Sequence, residues 1–316
     1  MRSSCIIIVN FRTPRLVVDC LHSLQADVRA EPDCRVIVVD NASGDGSVEH
    51  LRTAIRAADW TWAEVRPLHH NGGFAFGNNA AIRSLLQTKQ PPAYFHLLNP
   101  DTYIRPGAVH RLIDFMEAHP HVGIAGSRLE HPDGSAQSAA FRFHGVLSEF
   151  ERGLRLGVVS KLLQRWMVAP PTRDAPHRTD WVNGASLMIR REVFDSVGLM
   201  DEGFFLYFEE TDFCLRARQA GWPCWFVPAS RVVHLEGQST GATGAIARRK
   251  PLPDYWFVSR RRYFRKHHGP GYEFLANVAH ASSYALWRCR KWLQYKEDQD
   301  PPSYLRDFVR QTMRGL

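Results

Sequence analysis

"RVIVVDNASGDGS" (35–47) sets four consecutive β-branched residues, Val36 to Val39, in front of one carboxylate, Asp40, and a turn of small polar residues. Such a strand is apolar on both faces, so neither face can be given to water; it must be covered on both sides, as strands of parallel sheets are. The same signature recurs outward from it. "CIIIVNF" (5–11) precedes it across a helical pattern near 15–25, and a helical pattern near 46–57 follows. Beyond come a short strand near 62–66, a helix near 77–88, "YFHLLNPD" (94–101), a helix near 107–118 and "VGIAGS" (122–127). The alternation predicts an α/β domain with a mostly parallel central sheet and helices on both faces, binding its ligand beyond the carboxyl ends of the strands.

Residues 128–180 are less regular, with the turn "HPDGS", a helical excursion within 141–168 and the loop "APPTRDAPHR"; they read as an insertion. Order returns with "WVNGASLMIRREVFDSVG" (181–198), "FFLYFEETDFCLRARQAGW" (204–222) and the strand "PCWFVP" (223–228). From about residue 254 the chain turns basic and aromatic, then amphipathic and Trp-rich to about 296. The expected division is a main domain, 1–253, and a helical extension, 254–316.

The 316 residues are 44% apolar, ample for a globular core, and carry a formal net charge of +8. That charge suits a nucleic acid, an anionic membrane or a phosphorylated substrate, and only its location can rank these. Six cysteines without C-x-x-C spacing read as reduced thiols. The N-terminal apolar run is too short for a signal peptide and nothing approaches a membrane span, which predicts a cytoplasmic, non-spanning protein. "VNFRTPRL" lacks G-x-G-x-x-G, which argues against a nicotinamide enzyme.

Four clusters fall at strand ends. Asp40 stands where a carboxylate commonly accepts hydrogen bonds from a ribose or base, although Asn41 and Ser43 equally suit a helix cap. "HHNGGFAFGNNAAI" (69–82) offers Gly72, Gly73 and Gly77 for close backbone approach and Asn71, Asn78 and Asn79 as amide partners; an ordinary Gly-rich loop explains it as well. "LLNPD" ends on Asp101, a candidate ligand for Mg²⁺ or Mn²⁺ whose competing role is to cap the helix after Pro106. "RVVHLEGQS" (231–239) delivers His234 to the same edge, where it could complete a metal site.

"VNFRTP", "VIVVDNASGDGS", "HNGGFAFGNNAAI", "LLNPD", "WVNGASLMIRREVF" and "LMDEGFFLYFEETDFCLRARQAGW" occur in the order seen in family 2 glycosyltransferases. The chain resembles their bacterial rhamnosyltransferase-like branch over about residues 5–268. The resemblance implies the GT-A fold, a nucleotide-diphosphate sugar donor, a divalent metal (Mg²⁺ or Mn²⁺) and inversion at the anomeric carbon. It implies that Asn10, Asp40, Asn71, Gly72, Gly73, Asn78, Asn99 and Asp101 bind the nucleotide sugar. Asp101 matches the last acid of the D-x-D motif, with Asn99 where many members have an acid; Asp101 and His234 are then the metal ligands. Trp181, Asn183, Gly184 and Asp212 match the acceptor region. Glu210 matches the catalytic base, glutamate standing where the family has aspartate, and Glu209 is its neighbour or alternate.

The bare residues agree with part of this. "FFLYF" before Glu209 and Glu210 implies burial, and buried acids without a task are costly, whereas Asp212 with Arg216 four residues on reads as a helix-start pair. "RRK" (248–250), "RRR" (260–262) and "RKHH" (265–268), interleaved with aromatics, suit an anionic membrane surface or a solvated face. A nucleic-acid-binding protein leaves the acids unexplained, and a non-catalytic nucleotide-sugar-binding module needs no base. The expected reaction moves rhamnose from dTDP-rhamnose, or galactofuranose or a hexose from a UDP donor, to a glycan or lipid-linked acceptor, in cell-surface polysaccharide such as O-antigen.

Overall fold

In chain order the elements are β1 (Ser4–Asn10), α1 (Pro14–Ala30), β2 (Cys34–Asp40), α2 (Ser47–Ala57), β3 (Ala63–Pro67), α3 (Gly73–Leu86), β4 (Tyr94–Leu98) and β5 (Thr102–Ile104). There follow α4 (Ala108–Ala118), β6 (Ile124–Glu130), β7 (Ala140–Phe141), α5 (Val146–Leu154), α6 (Gly157–Leu162), β8 (His177–Thr179), β9 (Trp181–Val182) and β10 (Ser186–Arg190). The chain continues through α7 (Arg191–Val197), α8 (Glu209–Gln219), β11 (Cys224–His234), α9 (Asp254–His268), α10 (Pro270–Leu293) and α11 (Tyr304–Met313). This computed structural model describes residues 3–237, 251–297 and 300–313; the basic triplet at 248–250 lies outside the described residues.

The main sheet runs β3-β2-β1-β4-β10-β6-β11-β5, with β8 added alongside β11. β1 to β4 are mutually parallel, β6 and β11 are parallel, and β10 is antiparallel between β4 and β6. Alternation along β1 and β2 explains why both faces are apolar. Ile6, Ile8, Val36 and Val38 pack with Leu21 and Leu24 of α1 and Leu112 of α4 on one face. Ile7, Ile37 and Val39 pack with Ile82 of α3 and Phe213 of α8 on the other. "PCWFVP" and "RVVH", which read as separate strands, form one β11 whose pairing with β6 shifts register between Val227 and Arg231.

The extension departs from the expected basic, lipid-facing tail over 260–268. Arg260 is buried, its Nη2 2.9 Å from Glu149 Oε2 on α5, and its guanidinium lies over the rings of Phe264 and Phe308. Arg262 and Lys266 pair with Asp201, and Arg265 pairs with Glu273. The Arg260 pair ties α9 to α5, the Asp201 pairs tie it to the segment before α8, and Arg265–Glu273 ties it to α10. No described helix is long and apolar enough to cross a membrane.

Candidate active site

Parallel pairing sets Asn10 opposite Asp40 at the carboxyl edge of the sheet. Asn10 Nδ2 donates to Asp40 Oδ1 (2.7 Å), and Ser43 donates to the same carboxylate from its backbone N (3.0 Å) and Oγ (2.6 Å). Asn41 and Ser43 do not cap α2, whose first turn is met by Asp45 accepting from Ser47 N (3.0 Å). Asn41 Nδ2 instead reaches across to Asn71 Oδ1 (2.9 Å), which also accepts from Gly73 N (3.0 Å). Gly72 and Gly73 open α3 here. Gly73 has φ +87 and a Cβ on it would collide with the Phe205 carbonyl. Phe74 N donates to that carbonyl (2.9 Å), which ties the glycine loop to the segment before α8. Asn78 Nδ2 donates to Phe74 O (2.9 Å), and its buried Oδ1 has no hydrogen-bond partner among the described residues. Asn79 is structural, bonded through its side chain to both backbone groups of Met200.

The other half of the edge comes from strands of both directions. Antiparallel pairing of Ser186 with Leu98 brings Asn183 to Ala185 beside Asn99, whose N donates to Ala185 O (3.0 Å). His234, at the end of β11, pairs with Thr102, the residue after Asp101. Asp101 is buried and its Oδ1 lies 3.6 Å from His234 Nε2. Asp101 does not cap α4. Asp27 of α1 does so, accepting from Gly107 N (2.6 Å) and Val109 N (2.8 Å).

Glu209 and Glu210 begin α8. Each has an Oε2 that is buried without a hydrogen-bond partner among the described residues. Gly184 faces both Glu210 Oε1 and the Phe74 ring. Burial raises the pKa of both acids, and for Glu209 the Glu210 charge adds to that rise. Asp212 is placed differently. Its carboxylate is buried and bound by Arg216 Nε (2.9 Å), Lys266 Nζ (2.6 Å) and His267 Nε2 (2.8 Å), an anchor between α8 and α9. Trp181 stacks on Phe141 (4.2 Å) and donates from Nε1 to Arg142 O (2.9 Å), while Asn183 Oδ1 accepts from Ala185 N (2.9 Å).

Residues 5–181, over half of the chain, match the protein-family model described as glycosyl transferase family 2. The chain belongs to this family. Residues 94–293 also match glycosyl transferase family group 2. N-acetylglucosaminyl-diphospho-decaprenol L-rhamnosyltransferase of Mycobacterium tuberculosis is 28% identical over 220 residues, 65% of this chain and 68% of the relative. dTDP-rhamnosyl transferase RfbF of Shigella flexneri is 26% identical over 66% of this chain and 62% of its own length. In fold, the transferase matches the mannosyltransferase PcManGT of Pyrobaculum calidifontis, solved with GDP-Man and Mn²⁺. The TM-score is 0.60 at 13% identity, over 92% of this chain and 74% of that one. The fold is GT-A, and the protein is a nucleotide-sugar glycosyltransferase.

Among the described residues no three His, Cys, Asp or Glu side chains gather as a metal site. Asp101 and His234 nevertheless fit a cation: a carboxylate and an imidazole lie side by side and buried, with His234 Nδ1 bonded to no described residue. Two protein ligands suffice for Mg²⁺ or Mn²⁺ when diphosphate oxygens and water supply the rest.

A third contribution to this site, from α9, was not legible in the sequence. α9 embraces the segment that leads into Glu209. Ser259 Oγ donates to Leu206 O (2.9 Å), and the Tyr255 ring packs on Phe205 (5.4 Å) and Tyr207 (6.1 Å). Tyr207 and Phe208 both hold φ +69, a left-handed conformation that bulky residues rarely adopt.

Proposed function

We propose that the transferase moves rhamnose from dTDP-rhamnose, with inversion, to a hydroxyl of a lipid-linked glycan, as a peripheral protein at the cytoplasmic face of the membrane. The names of the rhamnosyl-transferring relatives support the sugar, and the diphospho-decaprenol in one of them supports the acceptor class. The observation that carries the chemistry is the buried Glu209–Glu210 pair beside Gly184, at the sheet edge that also holds Asp40 and Asp101.

Like charges in one buried site cannot both ionise cheaply, so the pair holds one proton over a wide pH range. Burial raises both carboxyls, and we assign Glu210, whose Oε1 faces Gly184 at the sheet edge, as the ionised base, with the shared proton on Glu209. Glu210 then accepts the proton of the acceptor hydroxyl while that oxygen attacks the sugar carbon opposite the diphosphate. Gly184, beside Glu210 Oε1, leaves room for the acceptor at that carboxylate. Asp40, with Asn10 and Ser43 fixing its carboxylate, receives the nucleoside. A cation held by Asp101 and His234 would supply positive charge to the leaving diphosphate.

The test is a panel of nucleotide sugars with and without Mn²⁺ or Mg²⁺, read as release of nucleoside diphosphate. dTDP-rhamnose should be the best donor, and Asp101→Ala should abolish the metal dependence of its binding. Preference for another donor overturns the rhamnose reading; metal titration unchanged by Asp101→Ala overturns the ligand assignment.

A further inference from the structure

α10 is amphipathic in the opposite sense to an ordinary surface helix. Toward the body it turns Glu273, His280, Ser283, Tyr284 and Lys291, all buried. Outward it turns Phe274, Leu275, Val278, Leu286, Trp292 and Leu293, which are 47–78% exposed. The outward positions recur at helical spacing, so they form one stripe along a helix about 36 Å long. No described residue covers it.

α5 runs alongside. Val146 N donates to Tyr272 Oη (3.2 Å) near the start of α10, and Arg290 Nη2 donates to Leu154 O (2.9 Å) near its end. α6 and the turn after it present a second exposed apolar group, Val158, Leu162 and Trp166, interleaved with the exposed cations Lys161 and Arg165. The exposed residues of α10 and α6 include no acid, although Glu297, just past α10, is exposed beside Lys296. Across 146–166 and 270–296, Glu149 and Glu273 are buried, and Glu151 is partly buried and accepts from Ser160 Oγ (2.6 Å). Arg288 and Lys296 add exposed cations.

We propose that the outward face of α10, together with α6, docks on an anionic lipid bilayer and lies in its interface. The inference rests on the lipid-linked acceptor of the proposed function and names the surface that would bring the enzyme to it. Charge selects this occupant: an apolar stripe bordered by cations and aromatics matches anionic headgroups, whereas a second copy of the same face would set cation against cation. The basic run on α9 contributes little, since its cations already serve internal pairs.

The experiment is cosedimentation of the full chain with vesicles of phosphatidylglycerol and phosphatidylcholine against phosphatidylcholine alone, alongside analytical ultracentrifugation without lipid. The chain should bind the anionic vesicles, and Leu275→Glu with Leu286→Glu should weaken binding by about a hundredfold, about tenfold per displaced side chain. Lys161→Gln with Arg165→Gln, which leaves the apolar stripe intact, should weaken it severalfold and flatten its salt dependence. Absence of binding, binding unaffected by both variants, or a lipid-free homodimer that the Leu variant dissociates would overturn the proposal. Donor cleavage measured without vesicles reports separately on the transferase reading, because Leu275 and Leu286 lie outside the acid pair and the donor loop.

Discussion

Two adjacent glutamates at the start of α8 differ in what surrounds them, and that difference has a measurable signature. Glu209 is raised by burial and by the Glu210 charge. Its neutral form is favoured in the fold, so the stability this gives is complete below the unfolded value of 4.5 and is lost as pH rises toward the folded value. Glu209→Gln should therefore melt with the wild type near pH 4 and increasingly above it toward pH 8, by about 2–4 °C for each kcal/mol relieved; thermal melts across that range check the sign. Individual residues were only partly legible from the chain. Asp40, Asp101, Glu209 and Glu210 stood out as acids in apolar surroundings, but Asp101 had a capping role open to it and the turn after Asp40 read equally well as a helix cap. Capping depends on which side chain reaches the amides, and the Asp that caps α4 comes from α1, 80 residues earlier.

At the scale of elements, α9 acts as a splint for the segment that delivers the acids. Holding Tyr207 and Phe208 at φ +69 costs of the order of 1–3 kcal/mol each, which the packing of Tyr255, the Ser259 hydrogen bond and the Asp212 anchor must offset. Tyr255→Ala should let the segment relax and move Glu210 by roughly an ångström, lowering kcat about 10²-fold while donor KM holds. Tyr255→Phe keeps the ring and should restore kcat; equal losses for both variants would contradict the splint. The sequence could not announce this role, since Tyr255 meets Phe205 across 50 residues and its run of aromatics among arginines reads equally well as a lipid-facing face.

For the whole molecule, the parallel core was readable because β1, β2 and β4 are apolar on both faces, a pattern that admits few architectures. The antiparallel β10 and the joining of two short apolar runs into β11 were not, because neither direction nor a register shift leaves a mark on composition. Nor was the seat of the extension. Burial alone would raise the Glu149 carboxyl, but the guanidiniums of Arg260 and Arg152 outweigh it and hold the acid well below 4.5. Its contribution is thus present above pH 4.5 and fades as the pH falls through the lowered value. Arg260→Met leaves a buried charge short of its partner, a loss of about 3–5 kcal/mol, so the melting temperature at pH 7 should drop by about 10 °C. The deficit should shrink in acid, and Arg260→Met combined with Glu149→Gln should recover part of it.

The central claim is that Glu210 removes the acceptor proton at an edge where donor binding is independently built. Glu210→Gln tests it most directly, with transfer and donor affinity measured on the same preparation. Transfer should fall by about 10²–10⁴-fold, the usual worth of a general base, while dTDP-rhamnose binds with unchanged Kd. Transfer at the wild-type rate would contradict the account.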